Sequence, residues 1–524
     1  MQKESTGRHA FLVAAGILIS RIAGLVRQRV FNHYFGLTDA ADAFAAALRV
    51  PNFLQNLFGE GVLSASFIPV YSRLLAEHDD EEADRLAGAI GAILALAASV
   101  VVLIGVLATP WLMWAIAWGY HGAKRELIIL LVRILFPGTG LLVCSAWCLG
   151  ILNSHRKFFL SYTAPVVWNL AIIVTILMYR HDDLNPLAVK VAWGTVAGCA
   201  LQFGVQAPAV LGVLKRLRLS LDTSSEHVRS VIRNFVPVAM SRGVMQVSAY
   251  IDQALSSLLG EGAMAAMTTA QSIYMLPVSL FGMSVSAAEL PAMSRVIGGD
   301  DALRQRLNLG LRRIAFFIVP SAMAFFAFGD VITAVLYQSG RFTHENTVYV
   351  WAIVAGSAVG LLASTLGRLY QSTYYALRDT RTPLRFAILR VLLTGVLGYL
   401  CAVPLPIWLA IEPRWGVAGL TASAGVAGWV EFAFLRRALN TRIGATGLPV
   451  ALAVKLWGSA ATGAAAGWGV KLALGSRGPF VDAVLVLGSY GVIYFAVAWI
   501  LRIEECTATL GRVLRLGRRV EPRA

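Results

Sequence analysis

Hydropathy along the chain rises and falls in long blocks, with no strand-like alternation. About fourteen apolar segments are long enough to cross a bilayer as helices, each near the required 20 residues or longer. They fall near residues 10–35, 41–75, 86–117, 126–152, 158–179, 187–213, 230–259, 263–294, 304–328, 345–376, 384–405, 415–438, 449–473 and 480–501. This pattern predicts an all-α, polytopic membrane protein. The first two segments are read as broken helices, one at Gly24 and the other at Pro51 and Gly59–Gly61. Breaks at membrane depth usually border a cavity, where freed backbone groups find partners.

Composition agrees with that class. Of the 524 residues, 57% are hydrophobic and only 14% charged, whereas a soluble domain carries roughly a quarter charged residues. The formal net charge of +16 would suit a nucleic-acid partner, but the basic residues sit in short connections and at span ends. With the N-terminus placed in the cytoplasm, the connections on that side hold most of the Lys and Arg, including Lys215, Arg216, Arg218, Arg304, Arg306, Arg436, Arg437 and the tail arginines. The opposite side holds few, such as Lys124, Arg180, Arg341 and Arg414. The bias puts both termini in the cytoplasm. The start lacks a small-residue cleavage site, so the first segment is expected to be retained as a span. Five cysteines form no disulfide or metal pattern.

Two basic connections, 214–230 and 439–448, divide the spans into six, six and two. The expected units are 1–213, 214–440 and 441–524, the last holding two spans and a basic tail that suits anionic headgroups.

The candidate chemistry lies in the first two spans. Arg21, Arg27 and Arg29 fall inside the first apolar segment, and a charge at that depth normally faces a bundle interior or a watery cavity. Arginine presents a planar fork of donors suited to phosphate or carboxylate. On the second span Asp42, Arg49 and Asn56 recur every seven residues, so they share one helix face, with Asn52 beside them and Glu60 one turn beyond. These charges could also pair among themselves as structural ions. In the seventh span Arg242, Gln246 and Gln253 share a face, with Asp252 slightly off it. Glu289, near Pro291, reads as structural.

No phosphate-binding loop, zinc-ligand motif or nucleophile elbow occurs in the sequence. The chain therefore reads as a carrier, with no catalytic residue, metal or cofactor expected.

Several motifs resemble the MurJ (MviN) lipid II flippase family of the MOP exporter superfamily. They are Ser20-Arg21-Ile22-x-Gly24-x-x-Arg27, Thr38-Asp39 through Asp42-Ala43-Phe44, Arg49-Val50-Pro51-Asn52, and Phe58-Gly59-Glu60-Gly61 through Pro69. Gly150-Ile151-Leu152-Asn153, Leu336 through Thr343 and Ala376 through Pro383 also match. The resemblance implies two six-helix lobes around a cationic cavity, and a final helix pair forming a groove for a polyprenyl tail. It implies a bacterial inner-membrane carrier that moves undecaprenyl-diphosphate-linked peptidoglycan precursor to the outer leaflet by alternating access. Cell-wall synthesis proteins are possible partners; nucleic acid is not one. The resemblance matches Arg21, Arg27 and Asp42 to positions the family uses and Arg49 to a basic position before its Pro-Asn. With Asn52, Gln55 and Arg242 these are the expected substrate-binding residues, and Asp252, which resembles a family carboxylate, is the expected coupling residue.

Two departures stand out. Where the family often has cavity arginines, this chain has Gln55 and, on the eighth span, the segment Ala270-Gln271-Ser272. Arg49 and Arg242 are expected to restore part of the positive field. Some relatives bind sodium through a carboxylate like Asp252, but companion ligands are not visible between Leu384 and Pro404, and one carboxylate is too few for a cage of several oxygens. Membrane potential or a proton through Asp252 is the competing driver. A flippase for another polyprenyl-diphosphate sugar, or an inactive scaffold relative, is the alternative function.

Overall fold

A computed structural model describes the backbone of residues 2–116, 118–286, 289, 293, 299–377, 379–475 and 477–508. Among them are seventeen α-helices and no named strand. Among the described residues nine helical segments are long and apolar enough to cross a bilayer, so the chain is an all-α, multi-pass membrane protein.

Helices α1 (Gln2–Phe35), α2 (Asp39–Phe58), α3 (Glu60–Ser66), α4 (Ile68–Ala76), α5 (Asp80–Ile116), α6 (Gly122–Ser154), α7 (Phe158–Met178), α8 (Leu184–Leu211) and α9 (Glu226–Ser256) come first. Then follow α10 (Ala263–Pro277), continued by a π-helical turn over Val278–Met283, and α11 (Gly299–Tyr337), α12 (His344–Ala376), α13 (Arg381–Ala402), α14 (Pro404–Trp408), α15 (Gly416–Ile443), α16 (Val450–Leu474) and α17 (Pro479–Ile500).

The first span is one continuous helix through Gly24, contrary to the expectation of a break. A lone glycine costs a helix interior about 1 kcal/mol, which packing against a neighbour outweighs. Here the neighbour is α7, and the close approach is at Gly16, where an added Cβ would lie 2.8 Å from the Tyr162 Cβ. The second span runs as one helix through Pro51, contrary to the expected break there, and divides instead at Gly59 and Phe67 into α2, α3 and α4.

The chain forms two compact units, residues 1–265 with Ser339–Phe342, and residues 266–338 with 343–524. The basic connection after α8 belongs to the first. Lys215 Nζ lies 2.6 Å from Asp80 Oδ2, the Arg216 N–H donates to Asp84 Oδ2 at 2.8 Å and Arg85 pairs with Asp222 at 2.7 Å. Ser225 Oγ donates to Glu82 Oε1 at 2.7 Å. Leu214, Val228 and Val231 are buried in the same apolar cluster as Leu86, Ala87 and Trp147. The connection is thus a strap fastened to the start of α5 and not a loose linker.

In the second unit α12 and α15 approach most closely at Gly360 and Gly425: a Cβ on Gly360 would lie 2.4 Å from the Gly425 Cα. Small residues permit such backbone contact between apolar helices.

Candidate functional site

The polar groups singled out by the sequence gather in the first unit. Thr38 caps α2, its Oγ1 accepting the Ala41 N–H at 3.4 Å, and this places Asp39 and Asp42 in the first turn. Asp42 is fully buried. Its Oδ2 accepts from Lys124 Nζ and from the Gly262 N–H, both at 2.8 Å, and its Oδ1 accepts from the Ala265 N–H at 2.8 Å. The amide donors belong to the start of α10, so Asp42 caps a helix far from it in sequence, as a carboxylate suits the positive end of a helix. Lys124, in the first turn of α6, also pairs with Asp39 at 2.6 Å. In this arrangement Asp42 ties α2, α6 and the start of α10 together. That differs from the expected substrate contact, since a fully buried carboxylate meeting three donors offers nothing to a solute.

Two residues before Pro51, Arg49 is half-buried. Asp252 and Tyr250 on α9, and Tyr120 ahead of α6, lie within its electrostatic reach. Proline at 51 removes the amide that would bond the Ala47 carbonyl, and next to that carbonyl Gln253, fully buried, donates from Nε2 to the Ala46 carbonyl at 3.4 Å. Asp252 and Gln253 therefore act on neighbouring parts of α2, just ahead of Pro51. Asn52 is exposed and Gln55 half-buried. At the break after α2, a Cβ on Gly59 would fall 2.2 Å from the Gln55 carbonyl oxygen, so only glycine allows the turn to close there.

On α1, Arg21 is exposed and Arg27 half-buried. The Arg27 guanidinium lies over the Trp168 ring of α7, 4.9 Å from its centroid. A flat ring under a guanidinium fixes its plane while leaving donors at the edge for an anion. Beneath it, buried Gln28 donates to Asn32 Oδ1 at 3.0 Å.

The structure thus groups Arg49 with Asp252, and sets Asp42 apart with Lys124. The side chains of Arg242, Gln246 and Glu60 lie outside the described residues. Ser272 belongs to the second unit, where its hydroxyl lies 2.7 Å from the Tyr337 hydroxyl. There also Glu289 pairs with Arg306 at 2.7 Å and with Arg313 at 3.4 Å, as a structural ion. Among the described residues no group of three or more His, Cys, Asp or Glu side chains could hold a metal ion.

Sequence reasoning placed Lys124 in a connection and gave it no role. Its only signal was a Lys124-Arg125 pair at the start of an apolar run. Trp168, Tyr120 and Tyr250 gave no signal, because aromatic residues in apolar helices are normal core.

Comparison with known proteins places the whole chain. The family model described as lipid II flippase MurJ matches residues 31–481. The lipid II flippase MurJ of Burkholderia cenocepacia is 29% identical over 442 residues, covering 83% of this chain and 84% of the relative. A probable lipid II flippase MurJ of Bdellovibrio bacteriovorus is 29% identical over 517 residues, covering 95% of each chain. Among solved structures, a lipid II flippase MurJ in an inward closed conformation matches with a TM-score of 0.78 at 22% identity, covering 94% of this chain and 98% of that one. An inward-facing multidrug-resistance MATE transporter of the MOP superfamily matches with a TM-score of 0.65 at 18% identity, over 82% and 98% of the two chains. The match of the family model to most of the chain settles the relationship: the chain belongs to the lipid II flippase MurJ family.

Proposed function

We propose that this protein moves lipid II, the undecaprenyl-diphosphate-linked peptidoglycan precursor, from the inner to the outer leaflet of the bacterial inner membrane. It does so as a carrier of alternating access with both termini in the cytoplasm. Fourteen spans in groups of six, six and two fit this reading, although the two compact units divide at 265 and 266 and not at the expected 213 and 440. The observation that carries it is the pair of α1 arginines: Arg21 exposed and Arg27 set on Trp168, in a chain of a flippase family.

Arg21 and Arg27 grip the diphosphate, whose charge they match, while the lipid tail stays in the bilayer. Asn52 and Gln55 offer uncharged donors and acceptors to the sugar head. Arg49 shares its charge with Asp252, so the two together add little net positive field; recruitment of the anion falls mainly to α1. Asp42 holds the fold. Asp252 responds to the driving force through Arg49, since each charge moved across the membrane field gains about 2.3 kcal/mol per 100 mV.

The test is complementation of a bacterium depleted of its own lipid II flippase. The unsubstituted chain restores growth, and Arg21→Ala and Arg27→Ala fail to do so at equal membrane abundance. Growth restored by both variants would defeat the proposed role of the arginines. Failure of the unsubstituted chain would favour another polyprenyl-diphosphate sugar as the cargo, or a scaffold role.

A further inference from the structure

In the second unit a groove of about 500 Å³ runs along the last half of α15. Trp429, Phe432, Arg436 and Asn440 line it at helical spacings of three and four, and Arg437 lines it from the adjoining stripe. The two ends differ. Trp429 lies near the middle of the helix and Asn440 near its end at Ile443. The rise from 429 to 440 is about 16 Å, at about 1.5 Å per residue. The lining holds two guanidinium groups and no carboxylate. Glu431 of the same helix turns away from the groove, where buried it accepts from Gln371 Nε2 at 3.0 Å and from Arg390 at 3.1 Å. Asp379 is engaged by Arg442 at 2.7 Å.

The basic end is held in place before any ligand arrives. Arg436 donates from Nε to the Thr446 carbonyl at 2.8 Å, and its two NH2 groups have no partner among the described residues. The connection it grips is itself fixed. The Thr446 N–H and hydroxyl both donate to Asn440 Oδ1, at 2.9 and 2.5 Å, which leaves the Asn440 Nδ2 donors unused. The Tyr370 hydroxyl of α12 lies 2.9 Å from Thr446 Oγ1, and the Gly447 N–H donates to Asn308 Oδ1 of α11 at 3.0 Å. Gly447 has a φ of 130°, and a Cβ there would lie 2.7 Å from Arg436 Cζ, so glycine lets the guanidinium rest against the backbone. Arg437 is exposed and makes no ion pair or hydrogen bond among the described residues. At the apolar end Trp429 donates from Nε1 to the Val359 carbonyl at 2.8 Å, and the Phe432 ring meets Trp429 and Tyr370 edge-on.

We propose that this groove binds an anionic glycerophospholipid, with its phosphodiester on Arg436 and Arg437, Asn440 as a further donor, and one acyl chain along Phe432 and Trp429. Guanidinium forks match phosphate oxygens in pairs. A guanidinium already fastened by Thr446 loses little freedom when it binds. Polarity runs the right way for a lipid: charge lies near the helix end, at headgroup depth, and aromatic wall lies toward the bilayer centre. With two cations and no carboxylate in the lining, the ammonium of a zwitterionic headgroup finds repulsion and no acceptor of its own. A free phosphate ion would use only the arginine end and leave the aromatic stretch uncovered. The inference rests on the multi-pass membrane fold and not on lipid II transport.

The test uses the full chain in nanodiscs of equimolar phosphatidylglycerol and phosphatidylethanolamine, released into native mass spectrometry to count retained lipids. Phosphatidylglycerol is retained over phosphatidylethanolamine by about tenfold, a difference near 1.4 kcal/mol. Arg437→Gln lowers that preference to about threefold or less, and Arg436→Gln combined with Arg437→Gln erases it. Arg437→Gln breaks no bond seen in the structure, so it carries the test if the double variant fails to fold. Arg385→Gln, at an exposed arginine of α13 outside the groove, leaves the preference unchanged. Equal retention of the two lipids, an unchanged preference in Arg437→Gln, or an equal loss in Arg385→Gln would overturn the assignment. So would displacement of phosphatidylglycerol by equimolar undecaprenyl phosphate. Because the readout is lipid retention, it succeeds or fails independently of flipping.

Discussion

Helix α2 and the pair α12–α15 solve the problem of helix packing in a bilayer in opposite ways. Between α12 and α15, glycines bring backbones together, with Gly360 against Gly425 and Gly356 facing the Ala418 carbonyl. Around α2, contact is made by ions and amide groups: Asp42 with Lys124, Arg49 near Asp252, Gln253 on the Ala46 carbonyl. Small-residue packing depends on shape alone and has nothing to exchange with a solute. The ionic kind is costly to assemble without every partner, and it sits in the same unit as the exposed Arg21 and the Arg27 guanidinium on Trp168. The contrast separates framework from working parts within one membrane fold.

The sharpest way to break it is at Asp42. Asp42→Ala leaves Lys124 with Asp39 alone and uncaps α10, and should destabilise the protein by about 3 kcal/mol, the lower end of the usual cost of removing one partner of a buried pair. Adding Lys124→Met should recover part of that loss. Chemical denaturation in detergent measures both, and a near-neutral Asp42→Ala would put Asp42 back among the substrate contacts. Gly360→Val tests the other side. An added side chain has only backbone to displace, and overpacking of this kind costs about 1–3 kcal/mol. The same denaturation experiment should find the loss with flipping by the folded fraction intact.

A smaller effect concerns the connection ahead of α13, which is fixed by charge and not by glycine. The Asp379 carboxylate accepts the Thr382 N–H at 3.0 Å and the Thr382 hydroxyl at 2.7 Å, and pairs with Arg442 at 2.7 Å. These bonds, the Thr382 amide first, hold its pKa down at about 2. A carboxylate lowered in the folded state stabilises fully above its unfolded value near ~3.9 and loses that contribution as pH falls toward about 2. Stability measured between pH 5 and pH 2 should therefore fall less steeply in Asp379→Asn than in the unsubstituted chain. Identical slopes would show that the carboxylate is not held in its charged form by these bonds.

Much of the framework is legible in the sequence. The fifth span was expected at 158–179 and is α7, Phe158–Met178; the span expected at 345–376 is His344–Ala376. Hydropathy reports such elements because lipid asks only for apolar length. Gly24 misled, because helix propensity is a weak prior beside the packing of α1 on α7. The strap at 212–225 was legible as basic but not as fastened, since its partners Asp80, Glu82 and Asp84 lie more than a hundred residues earlier. The site was half legible. Arginine at membrane depth stands out in any sequence, but which carboxylate holds the fold and which answers a neighbour depends on contacts across long separations: Asp42 with Gly262, Arg49 with Asp252.

The central claim divides the charges of the first unit into α1 arginines that handle the diphosphate and a buried Asp42 that does not. Reconstituted flipping of labelled lipid II by Arg27→Ala, with stability followed on the same sample, tests it most directly. The account predicts a loss of about tenfold or more in rate, that is 1.4 kcal/mol or more, at unchanged stability. A flipping rate equal to that of the unsubstituted chain would contradict it.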